Sequence, residues 1–124
     1  MNIFHKNTQT FEHFKHNPSQ PNGISSNEIL GLTQDHQKRL WIATWGGGLS
    51  VLEKGSRSFK RFLQQENNPN SLGSNYVQQV FEDRQQRLWI ATYYGGLYQY
   101  LPDGRFVKIL YGKNRKSQFL ILLF

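Results

Sequence analysis

The strongest constraint on this chain is that it repeats itself. At an offset of 48 residues Asn27 falls on Asn75, Asp35 on Asp83 and Gln37 on Gln85. Arg39-Leu40-Trp41-Ile42-Ala43-Thr44 then falls on Arg87-Leu88-Trp89-Ile90-Ala91-Thr92 without a mismatch, and Gly47-Gly48-Leu49 on Gly95-Gly96-Leu97. Upstream, Phe11 and Phe14 align with Phe59 and Phe62, and Pro21-Asn22 with Pro69-Asn70. Downstream, Phe106 and Ile109 follow the same aromatic pair after one deleted residue. Helical repeats such as TPR and ankyrin run at roughly 33–34 residues, whereas propeller blades run at roughly 40–50. The period therefore favours blades.

The pattern inside each copy reads as strands. Ile29, Leu32 and Val77, Val80 sit in short segments that end at Asp35 and Asp83, residues that accept backbone hydrogen bonds in Asx turns. Leu40-Trp41-Ile42-Ala43-Thr44 is short, aromatic and partly β-branched, as a buried strand is. Gly46-Gly47-Gly48 and Gly95-Gly96 follow, suited to a hairpin corner or a close backbone approach. Leu49-Ser50-Val51-Leu52 and Leu97-Tyr98-Gln99-Tyr100 predict third strands with alternating faces, and Phe59–Phe62 and Phe106–Ile109 fourth strands. Four antiparallel strands per repeat make a propeller blade, and the fold class is all-β.

With these residues in view, the chain resembles the two-component regulator propeller repeat. The matching positions are Asn27-x-Ile29, Asp35-x-x-x-Arg39-Leu40-Trp41-Ile42-Ala43-Thr44 and Gly47-Gly48-Leu49, with their counterparts from Asn75 to Leu97. Asn70-Ser71-Leu72-x-Ser74-Asn75 looks like that family's lead into a blade. Kelch repeats place their Gly pair before the Trp and WD40 blades end in Trp-Asp, so both fit worse. Lys38 and Gln86 stand where the family has a turn glycine, which predicts a different turn type. Ala43 and Ala91 replace the glycine after Trp-Ile, a minor packing change. The resemblance implies the sensor region of a bacterial sensor histidine kinase or hybrid two-component system, periplasmic in its parent and responding to glycans. No signalling domain lies in the 124 residues, and Met1–Asn7 shows no apolar signal-peptide core.

The repeat divides the chain into residues 1–26, the second half of a preceding blade with its linker; 27–74, a full blade with linker; 75–112, a second full blade; and 113–124, an off-pattern tail ending in the apolar run Phe119–Phe124. Closure takes roughly 4–8 blades, so the chain is expected to be an incomplete propeller fragment. Its partners are then the remaining blades of a longer protein, or other copies of itself. The uncharged tail reads as a break from the pattern and an aggregation hazard, with insertion into another copy as the alternative.

The chemistry is that of binding. Zero cysteines exclude thiolate nucleophiles and Cys-held metals, and His5, His13, His16 and His36 show no ligand grouping, so neither a metal nor a cofactor is expected. His13 and His16 are expected on opposite faces of one strand. No catalytic motif appears, and Asp35 and Asp83 lie on different blades without a partner, so no catalytic residue is assigned and an enzyme is not expected. Trp41 and Trp89, with Leu40, Ile42, Thr44, Gly47, Gly48 and their counterparts Leu88, Ile90, Thr92, Gly95, Gly96, recur in both copies and are read as blade structure. Positions that differ between copies are the better binding candidates: Trp45 in one corner, Tyr93 and Tyr94 in the other. Such rings stack on a sugar or a partner's side chain; the bland alternative is ordinary loop variation. A protein–protein scaffold is the second functional reading. The net charge of +7 raises a third, an anionic polymer or nucleic acid, but no nucleic-acid motif accompanies it. Cations on fourth strands also discourage edge pairing. No stretch reaches the roughly 20 apolar residues of a spanning helix.

Overall fold

The computed structural model describes residues 1–110, which form ten strands and no helix. The first two, β1 (Asn2–His5) and β2 (Thr10–His13), make a hairpin. Then come β3 (Ile29–Gln34), β4 (Leu40–Thr44), β5 (Leu49–Leu52) and β6 (Phe59–Phe62), paired in that order in one antiparallel sheet. A second sheet repeats the plan with β7 (Val77–Glu82), β8 (Leu88–Thr92), β9 (Gly96–Tyr100) and β10 (Phe106–Leu110). These are consecutive four-stranded blades. The register repeats as well: Leu32 pairs with Ile42 and Val80 with Ile90, and each first strand carries a bulge at the same place, between Ile29 and Gly31 and between Val77 and Gln79. The tail that includes Phe119–Phe124 lies outside the described residues.

The sheets stack face to face, with β3 beside β7, where Thr33 Oγ1 donates to the Val80 carbonyl at 2.6 Å. Because side chains alternate along a strand, the two faces of β4 meet different neighbours. Trp41 and Ala43 face the second sheet, in a core with Val51, Val77, Val80, Ile90 and Phe106. Ile42 faces the hairpin side, with Phe14, Ile24, Leu52 and Phe59. Both faces being covered explains why Leu40–Thr44 reads as a continuous apolar run. The same cause removes the alternation expected of β5, whose four residues are all buried. Ser50 is accommodated there because its hydroxyl meets Ser25 Oγ at 2.7 Å. Among the described residues no buried side-chain nitrogen or oxygen lacks a hydrogen-bond partner.

The linkers are structural. Ile24 and Leu72, one repeat apart, are buried plugs between sheets. Phe59 N donates to the Asn22 carbonyl at 2.7 Å, and Phe106 N to that of Asn70 at 2.9 Å, tying each outer strand to the linker before its own blade. Arg61 on β6 donates to the carbonyls of Gly23, Gln20 and Ile24. Lys38 and Gln86 adopt φ of 66° and 65°, a left-handed conformation that glycine takes without strain. One expectation is corrected. His16 lies beyond the end of β2, in the connection, where its ring Nδ1 is 2.9 Å from the Ile24 carbonyl oxygen.

Candidate functional site

In an antiparallel meander, successive turns lie at opposite ends of the sheet. The β4–β5 and β8–β9 corners, with the linkers, share one end; the β3–β4 and β7–β8 turns share the other. Each corner is locked in the same way. Thr44 Oγ1 donates to the Gly48 carbonyl at 2.7 Å, and Thr92 Oγ1 to that of Gly96 at 2.8 Å. A Cβ on Gly47 would come within 2.8 Å of the Ser25 carbonyl oxygen, and one on Gly95 within 2.8 Å of Thr92 Oγ1, so only glycine lets the corner fold against the linker. Trp45 N donates to the Glu28 carbonyl at 2.9 Å and Tyr93 N to the Tyr76 carbonyl at 2.8 Å. These bonds hold the first corner residue of each blade beside the lead into the innermost strand. The Gly48 N–H then crosses to the Asn75 carbonyl at 2.8 Å, joining the two blades at this end.

The result is a solvent-facing run of rings across the blade boundary. Trp45 meets Tyr76 edge to face at 4.6 Å between centroids and Tyr93 at 5.2 Å; Tyr93 is 6.3 Å from Tyr94. Trp45 and Tyr76 are each 40% exposed, and Tyr94 is 82% exposed. The three candidates from the corners are thus brought together, and a fourth ring, Tyr76, joins them. Tyr76 was missed, although the signal was available: it stands opposite Glu28 in the repeat, another position that differs between copies. Tyr94 also sits at φ 69°, where the other copy has Gly46 at φ 85°. The swap could not be made the other way without cost, because a Cβ on Gly46 would press on the Tyr76 ring at 3.3 Å. Tyr94 thus holds an exposed aromatic side chain in a conformation that normally costs a non-glycine residue about 1–2 kcal/mol.

At the opposite end, each β3–β4-type turn is organised by its aspartate. Asp35 Oδ1 accepts from Gln37 N and Arg39 N, both at 2.9 Å, and Oδ2 accepts from Arg39 Nε and Trp41 Nε1, both at 2.7 Å. Asp83 does the same with Gln85, Arg87 and Trp89. Burial pushes the Asp35 carboxyl up, but the bonds from Trp41 and Arg39 outweigh it and hold the group below its usual value. Burial likewise opposes ionisation of Asp83, and the donors from Trp89, Arg87 and Gln85 outweigh it, bringing that group to about 2. The guanidinium carbons of Arg39 and Arg87 lie 5.3 and 5.4 Å from the centroids of the adjacent Trp rings. A saturated carboxylate has no proton to give at neutral pH, so these groups build the turn. The indole bond was not foreseen, although the Asp-x-x-x-Arg-x-Trp spacing recurs in both copies. Among the described residues no group of three or more His, Asp or Glu is placed to hold a metal ion.

The family profile described as two component regulator propeller matches residues 23–46 and 71–94, each match running from the linker through the first two strands into the aromatic corner. No curated protein sequence matches the chain significantly. Among solved structures the chain is similar to one described as the extracellular domain of hybrid two component system BT3049 from B. thetaiotaomicron, at 23% identity and a TM-score of 0.71, covering 91% of this chain and 16% of that one. Two structures of the extracellular domain of BT4673 from the same organism match at 15% and 17% identity, each with a TM-score of 0.54 over 86% of this chain and 21% of theirs. The shared feature is the fold, and the chain spans well under a quarter of the length of these proteins. The chain thus carries two segments that match the two component regulator propeller repeat, each seated on its own four-stranded sheet.

Proposed function

We propose that this chain is part of the ligand-sensing propeller of an extracytoplasmic two-component sensor, that it acts by binding and not by catalysis, and that Trp45, Tyr76, Tyr93 and Tyr94 form a ledge for an oligosaccharide. The observation that carries this reading is the ledge itself: four rings contributed by two blades, Trp45, Tyr76 and Tyr94 exposed and Tyr93 half-buried between them, held by backbone bonds that repeat from blade to blade. Pyranose rings present an apolar C–H face that stacks on such surfaces while their hydroxyls remain in water. Support for the setting comes from the extracellular sensor domains that share the fold. Because the ledge spans a blade boundary, a ligand bound there responds to how the blades are set against each other. Signalling in the parent would then rest on unequal affinity for two blade arrangements.

The test is a titration of the chain with a panel of neutral and acidic oligosaccharides, read by tryptophan fluorescence and by calorimetry. Trp45→Ala and Tyr94→Ala are each expected to weaken binding about tenfold or more, the equivalent of one lost stacking contact of about 1.4 kcal/mol. Saturable binding that both substitutions leave unchanged would move the site elsewhere. A panel without any binder, set against capture of a defined protein partner that Tyr94→Ala abolishes, would support the scaffold reading instead.

A further inference from the structure

The joints between layers repeat as closely as the strands do. In each layer a third-strand residue stands opposite a fourth-strand phenylalanine: Phe4 opposite Phe11 in the hairpin, Leu52 opposite Phe59 in the first blade, and Tyr100 opposite Phe106 in the second. Two of these three pairs are seated on the layer before them. Phe59 meets Phe14 of the hairpin edge to face at 5.1 Å between centroids, and Phe106 meets Phe62 of the first blade in the same way, also at 5.1 Å. Tyr100 stands edge-on to Trp41 at 5.0 Å. The third pair faces solvent, with Phe4 47% exposed and Phe11 63%. Alternation along the strands turns these two rings away from the first blade, opposite to Ile3 and Phe14, which pack on it. They keep the arrangement of a seated pair, 4.8 Å apart at an angle of 49°, against 5.1 Å and 53° for Tyr100 and Phe106.

The other end of the stack carries the matching half. Trp89 holds the place of Trp41 and lies on the face of the second blade turned away from the first, beside Phe81, Ala91 and Leu97. Val107 on β10 shares that face, since it pairs with Gln99 and Gln99 pairs with Trp89. One difference between the copies bears on what fits there. In the internal joint Thr33 donates to the carbonyl of Val80, on the inner strand of the next blade. Phe81 stands in its place, carries no hydroxyl and packs against the Ala91–Leu97 cluster of its own sheet. This face has kept the outer contact, made by the indole, and lost the inner bond. It suits a layer with outer strands and no inner ones, and the β1–β2 hairpin is such a layer.

We propose that two copies of this chain associate head to tail, the Phe4–Phe11 pair of each seated on the Trp89 face of the other. Phe4 then meets Trp89 as Tyr100 meets Trp41, and Phe11 meets β10 as Phe106 meets Phe62 on β6. The contact continues an interface the chain already makes within itself. Each copy holds three layers, the hairpin and two blades, so two copies hold six. Six lies within the roughly 4–8 layers that close a propeller, whereas three copies would hold nine. Closure after two copies forms the same contact twice and yields a dimer, where a contact that did not close would yield a filament. The inference rests on other residues than the ledge and stands apart from the oligosaccharide reading.

The test is the mass of the full chain in solution, by sedimentation velocity and light scattering over a wide range of concentration, with the β structure followed by circular dichroism. Twice the 14.6 kDa of one chain is expected, falling toward one chain on dilution. Phe11→Glu puts a charge on one face of the contact and Val107→Glu puts one on the other. Each should weaken association about tenfold or more and leave the circular dichroism unchanged. Phe4→Ser probes the first face without adding a charge and should act in the same direction. A mixture of Phe11→Glu with Val107→Glu keeps one contact intact, the Trp89 face of the former on the Phe4–Phe11 pair of the latter. That mixture should regain a dimer that neither variant forms alone at the same concentration. Leu63→Ser, at another exposed apolar residue just beyond β6, should leave the mass unchanged. The proposal is overturned by the mass of one chain at every concentration, or by a mass that grows past two chains. It is equally overturned by a dimer that Phe11→Glu and Phe4→Ser leave intact, or by a mixture that fails to recover.

Discussion

A carboxylate that accepts four hydrogen bonds resists both protonation and replacement. Asp35→Asn leaves one acceptor oxygen and turns an NH2 group toward donors, either the Gln37 and Arg39 backbone N–H groups or Arg39 Nε and Trp41 Nε1. The expected cost is about 1.5–3 kcal/mol in denaturant unfolding at neutral pH. The pH dependence follows from the depressed values of Asp35 and Asp83. A carboxyl that ionises near 3.8 when unfolded and at about 2 when folded contributes stability that is complete above the higher value and is lost as pH falls toward the lower. Stability should therefore hold from neutrality to about pH 4 and decline below it, and Asp83→Asn should flatten that decline. Acid titrations of the two proteins followed by circular dichroism check this. At this scale the sequence was informative about turn chemistry, since Asp followed by four polar or basic residues encodes an Asx turn. It was silent on which side chains share the carboxylate, because that depends on where the neighbouring strand places its indole.

At the scale of the strand, identical sequences meet unequal surroundings. Leu40–Thr44 and Leu88–Thr92 are the same five residues, and both form second strands. Trp41 is fully buried, parallel to Phe62 at 6.2 Å and edge-on to Tyr100 at 5.0 Å. Trp89 is half-buried on the face turned away from the first sheet, beside Ala91, Leu97 and Phe81. Leu32 and Val80 show the mirror case: Val80 is buried against the first blade, whereas Leu32 is 53% exposed. Trp41→Ala should cost about 3–5 kcal/mol, within the range for truncating a large buried aromatic, and Trp89→Ala clearly less. Urea melts of the two variants decide it; equal losses would mean that the intrablade contacts, and not the blade interface, dominate the energy of the indole. Strand existence and order were legible because each strand's apolar residues and bounding turns fall within one repeat. The unequal burial was not, because it depends on the neighbouring sheet.

For the whole molecule, the main core belongs to neither blade alone. Trp41, Leu49 and Val51 from the first sheet interleave with Val77, Ile90, Tyr98 and Phe106 from the second, and the Thr33–Val80 and Gly48–Asn75 bonds cross at the inner edge and at the ledge end. Such blades should unfold together. Ile90→Ala, expected to cost about 2–5 kcal/mol, should lower one transition that is seen equally by tryptophan fluorescence, read in a Trp89→Phe background so that only first-blade indoles report, and by circular dichroism of the whole chain. Two separated transitions would mean that the blades are energetically independent and that the ledge between them is held only by its surface contacts. The candidate site was half legible at this scale. Comparing the copies singled out Trp45, Tyr93 and Tyr94 as places where structure does not dictate the residue, but nothing in the chain order says that they converge.

The sequence by itself determined the period, the four strands of each full blade, the aspartate turns and the glycine corners. All of these rest on hydrogen bonds and side-chain alternation spanning a few residues, so the information is local and is written twice. Tertiary structure alone decided that Trp45, Tyr76, Tyr93 and Tyr94 form one surface, and that one Trp is sealed while its twin is not. Those outcomes depend on how two sheets stack, and stacking is set by the summed packing of residues roughly 40 to 60 positions apart in the chain, such as Trp41 with Tyr100 and Phe62 with Phe106.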